Sequence, residues 1–547
     1  MRTKLFLILV LLSLLSCQKK IESTSPKLVV GIVVDQMRID YLSRFQNHYG
    51  SDGFKRFYNQ GFIAKNHHFD YAQTKTGPGH ASIATGTPPA IHGIITNDWF
   101  NKVSEAYQYC VYDSAYAGVG TDTHEGKKGP TQLLVSTFAD EIRLATQMRG
   151  KSIGVSLKDR AAILSIGHSA NGAYWFSGND AGNFVSSTFY MQQLPAWVQT
   201  FNTSRVIDQY LTTWNTLYPI EQYVESGPDN TIYERIPKGK QTPTFPYDLK
   251  ELFKINNGYS ALEATPFGNS LSTDFALAAI AGEELGMDAE TDVLMLSYSS
   301  TDYVGHNFGV NSKELQDTYI RLDKDLARLF SALDKQVGKK GYTVFLTSDH
   351  GVAHVPQFLL DNRLPAGYFD KKSFTNNLKT AVSFRFGIDD LILNISNNEV
   401  YINHKIVVEK RLDAALVETF ILSEIRAHSD IAEAYSATEL MQMDSSNPLV
   451  QRLQRGHQPK RSGDIVFTLL PGYLSNGTQG IKGTTHGSAY TYDTHVPFMM
   501  FGSGVQKGST YDRTNITDIA PTITALLGVS NPSGTIGNPI GKALKRH

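Results

Sequence analysis

The sequence predicts an α/β protein of three layers, α/β/α, built on a mainly parallel central sheet with cap-like insertions. Three observations carry this expectation. Continuous β-branched runs recur along the chain, amphipathic helices lie between them, and polar or acidic residues stand at the carboxyl end of each run. The 547 residues are 41% hydrophobic and 19% charged, enough to bury one large core or two.

The first run is LVVGIVV, 28 to 34, which stops at Asp35. SIGVSL, 152 to 157, leads into Lys158, VLMLSY, 293 to 298, leads to Asp302, and YTVFLTS, 342 to 348, leads into Asp349 and His350. A helix is predicted from about Ser312, where Leu315, Tyr319, Leu322, Leu326, Leu329 and Leu333 step by three and four until Gly338. A second covers 517 to 528. Residues 169–290 and 355–480 are richer in Tyr, Pro, Asn and Gly and read as excursions that cap the crevice at the strand ends.

The amino terminus has basic, apolar and small-residue segments in secretory order, ending in Leu-Leu-Ser-Cys. This predicts a lipoprotein signal over 1–16, lipidation of Cys17, a tether over 17–27 and a catalytic domain over 28–547. The expected location is the periplasm or outer membrane, with only the lipid touching a bilayer. Cys110 is the other cysteine, so no disulfide forms in the mature chain, and its surroundings do not mark a nucleophile. With 51 Lys+Arg against 52 Asp+Glu, no basic field invites nucleic acid.

Asp35, Asp302, His306, Asp349, His350 and His486 are hard metal ligands; singly, each has an ordinary structural explanation as a cap or core group. Together at one sheet edge they would be costly without cations. Six such groups suit two ions: Asp302, His306 and His486 on one, and Asp35, Asp349 and His350 on the other. Mixed imidazole and carboxylate ligation favours zinc. The stretch TKTGPGHASIATG, 74 to 86, then offers Thr76 as a hydroxyl nucleophile resting on a metal, with a helix from His80 to Thr85 behind it.

These pieces, with HGIITNDWF, GVSLKDRAAI, SSTDYVGHNFG, TSDHG, KRSGDI, GTTHGSAYTYDTHVP and TDIAPTI, span the mature chain in order. The sequence resembles the alkaline phosphatase superfamily, most closely the bacterial phosphate-irrepressible alkaline phosphatases with a threonine nucleophile. The resemblance implies an alkaline phosphatase-like fold, two Zn2+ ions and hydrolysis of phosphate monoesters through phosphorylated Thr76. It also implies that Asn97 donates to a phosphate oxygen and that Lys158 and Arg160 hold the remaining oxygens. His495 is a candidate for orienting a ligand, with a structural role equally open. Two other readings stand beside this one: a phosphodiesterase or nucleotide pyrophosphatase on the same scaffold, and a non-catalytic phosphate-binding lipoprotein.

Overall fold

A computed structural model describes residues 25–179, 181–475 and 482–545. The expected signal peptide and Cys17 therefore lie outside the described residues. At the centre is a ten-stranded sheet. Its order is 508–515, 62–68, 498–502, 342–347, 28–34, 292–298, 152–156, 172–177, 183–187 and 118–119.

The five strands from 342–347 to 172–177 are parallel, and Phe498–Gly502 runs antiparallel to its neighbours. Leu28–Val34 is buried along its whole length because helices cover both faces of the sheet. Val30, Ile32 and Val34 join the core that contains Phe275, Leu322 and Leu329, while Val29 and Val33 join the one that contains Ala81, Ile163 and Ile523. The period-two alternation thus splits one strand between two helical layers, as the three-layer prediction requires.

The long helix runs Lys313–Gln336, and the Ser312 hydroxyl caps it by accepting from the Leu315 amide. Its predicted leucine stripe is fully buried. Each such leucine contributes roughly 1.5–3 kcal/mol of apolar burial.

Two expectations need correction. Residues 172–177 and 183–187, read as part of an excursion, join the central sheet, the second strand antiparallel to the first. Short strands near a sheet edge carry too little β-branched signal to stand out. The helix behind Thr76 also begins earlier than predicted, running Thr76–Thr85. Pro78 falls in its first turn, where a missing N–H costs nothing.

Within 355–480, strands 392–396, 399–402, 465–469 and 431–436 form a separate antiparallel sheet. Helices Lys371–Phe386 and Ala414–Arg426 complete a core of its own.

Candidate active site

Parallel register explains how distant residues meet. Val34 pairs with Tyr298, and Val33 with Thr347, so the chain leaves three adjacent strands at one level. Neighbouring strands are about 4.8 Å apart, which places Asp35, Asp302, Asp349 and His350 within side-chain reach. The adjacent strand, where Ser156 pairs with Ser297, delivers Lys158 to the same edge. The segment carrying His486 arrives ahead of the antiparallel strand Phe498–Gly502.

Asp35, Asp349 and His350 are fully buried. His350 Nε2 lies 3.4 Å from Asp35 Oδ1 and 3.6 Å from Asp349 Oδ2. Around Asp302 Oδ1 stand His306 Nε2 at 3.1 Å and His486 Nε2 at 3.6 Å. The rings of His350 and His486 stack 3.4 Å apart, so His350 comes within ligand reach of Asp302 and His486 as well as of its expected partners. The structure thus joins the two expected triads through His350.

The Nδ1 atoms of His306, His350 and His486 bond the carbonyls of Thr484, Gly351 and Thr74, at 2.7, 3.0 and 2.7 Å. A carbonyl can only accept, so each ring donates from Nδ1 and turns its Nε2 towards the cluster. Asp35 Oδ1, Asp349 Oδ2 and His350 Nε2 are buried without hydrogen-bond partners. Stranded acceptors aimed at one another, backed by fixed histidine tautomers, fit divalent cations.

The electrostatics agree. Burial pushes Asp35 up to about 6, opposed by Lys158 and reinforced by the Asp302 charge. Burial also carries Asp349 well above the carboxylate range, with Asp35 adding to the shift. Burial works the same way on Asp302, but His306 and Lys158 outweigh it and hold that carboxyl well below the usual range. His486 is lowered to about 3, mainly by burial. Three carboxyls and three imidazoles at such close quarters are relieved by positive charge.

Gln36 is a site residue that the sequence reading missed. It adopts φ of 65°, in the left-handed region, donates from its amide nitrogen to Asp349 Oδ1 at 3.1 Å, and donates from Nε2 to Asp302 Oδ1 at 2.5 Å. Strain at such a residue is held by its surroundings. Gly305 makes room, since a Cβ there would lie 1.9 Å from Gln36 Oε1. Adjacency to Asp35 was the available signal.

Thr76 is buried at the start of its helix, where Pro78 brings no N–H and the Gly79 amide donates to the Lys75 carbonyl. A Cβ on Gly79 would lie 2.3 Å from the Asp349 carbonyl oxygen, so only glycine lets this helix seat against the cluster. His80, also missed, bonds the Thr76 carbonyl from Nδ1 at 2.9 Å, and its Nε2 lies 2.9 Å from the Ser297 hydroxyl. Its Nδ1 is also 3.5 Å from Asp349 Oδ2. Asn97 Oδ1 accepts the Gly77 amide at 2.7 Å, leaving the two N–H groups of its side chain as donors.

Lys158 reaches Asp35 at 2.7 Å and Asp302 at 2.6 Å. Arg160 bonds the Tyr109 hydroxyl at 3.1 Å, and its Nε is buried without a partner. The structure thus brings Lys158 into the cluster and sets Arg160 beside Tyr109. His495 stacks on His68 and bonds the Lys65 carbonyl, with no contact to the cluster, which makes it structural. Asp493 orders the segment instead, accepting from the amides of Gly487 and Ser488 at 3.1 and 2.7 Å. Cys110 is fully buried, and burial pushes its thiol up, as expected of an inert group.

A buried threonine at the start of a helix that packs through Gly79 on Asp349, beside an acid and imidazole cluster at the carboxyl edge of a parallel sheet, is the arrangement of a hydrolase of the alkaline phosphatase superfamily. A family model for type I phosphodiesterase / nucleotide pyrophosphatase matches residues 29–493, and the chain belongs to that family. It is 42% identical over 542 residues to alkaline phosphatase PafA of Elizabethkingia meningoseptica, covering 98% of each chain. It is 43% identical over 524 residues to a Myroides odoratus protein named calcium-transporting ATPase, covering 95% of each. The crystal structure of wild-type PafA superposes with a TM-score of 0.92 at 42% identity, over 95% of this chain and 99% of that one.

Proposed function

We propose that this alkaline phosphatase hydrolyses phosphate monoesters through a phosphothreonine at Thr76. One observation carries the reading: the Thr76 helix is seated through Gly79 directly on Asp349, a member of the candidate metal cluster. Asp35, Asp349 and His350 would hold one zinc ion, and Asp302, His306 and His486 the other. When bound, the ions supply positive charge that favours the Thr76 alkoxide and neutralises phosphate.

Thr76 Oγ gives up its proton and forms a bond to phosphorus as the ester P–O bond breaks, and the departing alcohol takes a proton. Water then attacks phosphorus and loses a proton, the Oγ–P bond breaks, Thr76 Oγ takes a proton and phosphate leaves. Asn97 donates to a phosphate oxygen from its amide N–H groups, its oxygen being held by Gly77. Lys158 and Arg160 supply cationic donors, which favour the doubly charged monoester over a diester.

The family description also covers diesterases. Turnover of p-nitrophenyl phosphate and bis-p-nitrophenyl phosphate by one preparation separates the readings. Faster monoester hydrolysis is expected, and faster diester hydrolysis would overturn the assignment.

The order of basic, apolar and small residues before Cys17 supports export and lipid anchoring. Among the described residues no helix is long and apolar enough to cross a membrane. Metabolic labelling with palmitate tests this; loss of label in Cys17→Ser is expected, and retained label would contradict it.

A further inference from the structure

Beside His486 the structure opens a cavity of about 310 Å3 between the residues leading into Thr76 and the separate four-stranded sheet. Gln73, Lys75, Lys371, Asn397, Tyr473 and His486 line it. Lys75 directly precedes Thr76, and its side chain runs over Gly487, where an added Cβ would lie 3.3 Å from Lys75 Cε. The lysine is therefore packed beside the cluster and is not free in solvent.

The lysine end is held in a built setting. Lys75 Nζ donates to Asn397 Oδ1 at 2.8 Å and, among the described residues, stands in no ion pair. Asn397 and Asn398 form the hairpin turn between strands 392–396 and 399–402, both with positive φ, at 53° and 57°. Asn397 Nδ2 donates to the Asp98 carbonyl at 2.8 Å, and Gln73 Nε2 donates to the Asn397 carbonyl at 2.5 Å. The turn thus clamps the segment that leads into the nucleophile and fixes Lys75 through a neutral amide, with the Asp98 and Glu399 carboxylates acting on the ammonium through space and not by direct contact. Lys371 opens helix Lys371–Phe386 at the rim, exposed and also outside any described ion pair.

A solvated lysine needs no ligand, and Lys371 alone would say nothing. Two ammonium groups that stand in no direct ion pair among the described residues, one of them fixed in the wall of a cleft that touches the candidate site, offer a contact to a second anion, while Asp493 in the same lining is tied to the amides of Gly487 and Ser488. We propose that this cavity receives the alcohol part of the ester and selects phosphate monoesters bearing a second anionic group, with Lys75 as the specificity-determining contact. The inference rests on the monoesterase reading and names its substrate class.

The test compares 3-phosphoglycerate with glycerol 3-phosphate, which differ by a carboxylate on the leaving alcohol. In the native protein kcat/KM is higher for 3-phosphoglycerate. Lys75→Met lowers that preference roughly tenfold to a hundredfold, as expected for loss of a charge-assisted hydrogen bond, mainly through KM. Lys371→Gln, at the exposed rim, lowers it by a smaller factor. An unchanged ratio in both variants overturns this inference alone. Hydrolysis of neither ester by the native protein overturns the phosphatase reading and this inference with it.

Discussion

Gly79→Ala isolates the contact that seats Thr76. The new methyl would lie 2.3 Å from the Asp349 carbonyl oxygen and 2.8 Å from Asp349 Cβ, and the oxygen belongs to a backbone fixed by the sheet edge. Restoring an ordinary contact of 3.4 Å requires the helix to withdraw by about 1.1 Å, at a cost of roughly 1–3 kcal/mol in overpacking. Displacing a nucleophile by about 1 Å can cost on the order of a hundredfold in rate. Steady-state kcat/KM for p-nitrophenyl phosphate, measured with thermal unfolding, should show that rate loss in a protein that remains folded. Gly77→Ala is a milder comparison, because its methyl meets side-chain atoms at longer distances, Asn97 Oδ1 at 3.1 Å and Cys110 Sγ at 3.2 Å, and any loss there reports on Asn97. Full activity in Gly79→Ala would refute the argument.

Thr76→Val should reduce turnover to background while bound metal persists, since it removes the attacking oxygen and little volume; unchanged turnover contradicts the nucleophile assignment. Lys158→Ala or Arg160→Ala should lower monoester kcat/KM by more than diester kcat/KM, and equal losses would oppose their placement around phosphate. A pH effect is expected at Glu234 and Glu314, two buried carboxyls that each keep one unpartnered oxygen. Burial, reinforced by mutual repulsion, raises Glu234 to about 10, and burial raises Glu314 to about 8. In the unfolded chain both ionise near 4.5, so the folded state holds protons that the unfolded state releases, and stability falls as pH rises from about 5 towards those values. Glu234→Gln cannot ionise; its Tm should match the native protein at pH 5 and exceed it at pH 9, where the gap in stability is on the order of a few kcal/mol. A Tm gap that does not vary with pH would contradict this.

The strand ends were legible because β-branched runs terminate in acids, and a parallel sheet in register converts that pattern into proximity. Asp35, Asp302, Asp349 and His350 were therefore found from spacing and composition. The roles of Gln36 and His80 depend on what a backbone dihedral and a helix packing do in space. Gln36 follows a recognised acid but shows no sign of its left-handed turn, and His80 reads as a buried helix histidine until Ser297 and Asp349 are placed beside it. The sharing of His350 between triads comes from its stacking on His486, a contact between residues more than a hundred positions apart. The sheet strands at 172–187 were hidden for the opposite reason: their composition is mixed and their length short, so only pairing reveals them. The link from the hairpin turn at Asn397 to Lys75 joins residues 322 positions apart and leaves no local signal.

The most direct test of the two-cation site is metal analysis of the purified protein together with Asp35→Ala. Two zinc ions per native chain and one in the variant are expected, because Asp35 belongs to one of the two ligand groups only. Native protein that holds no tightly bound divalent ion, or a zinc content that Asp35→Ala leaves unchanged, would contradict the account.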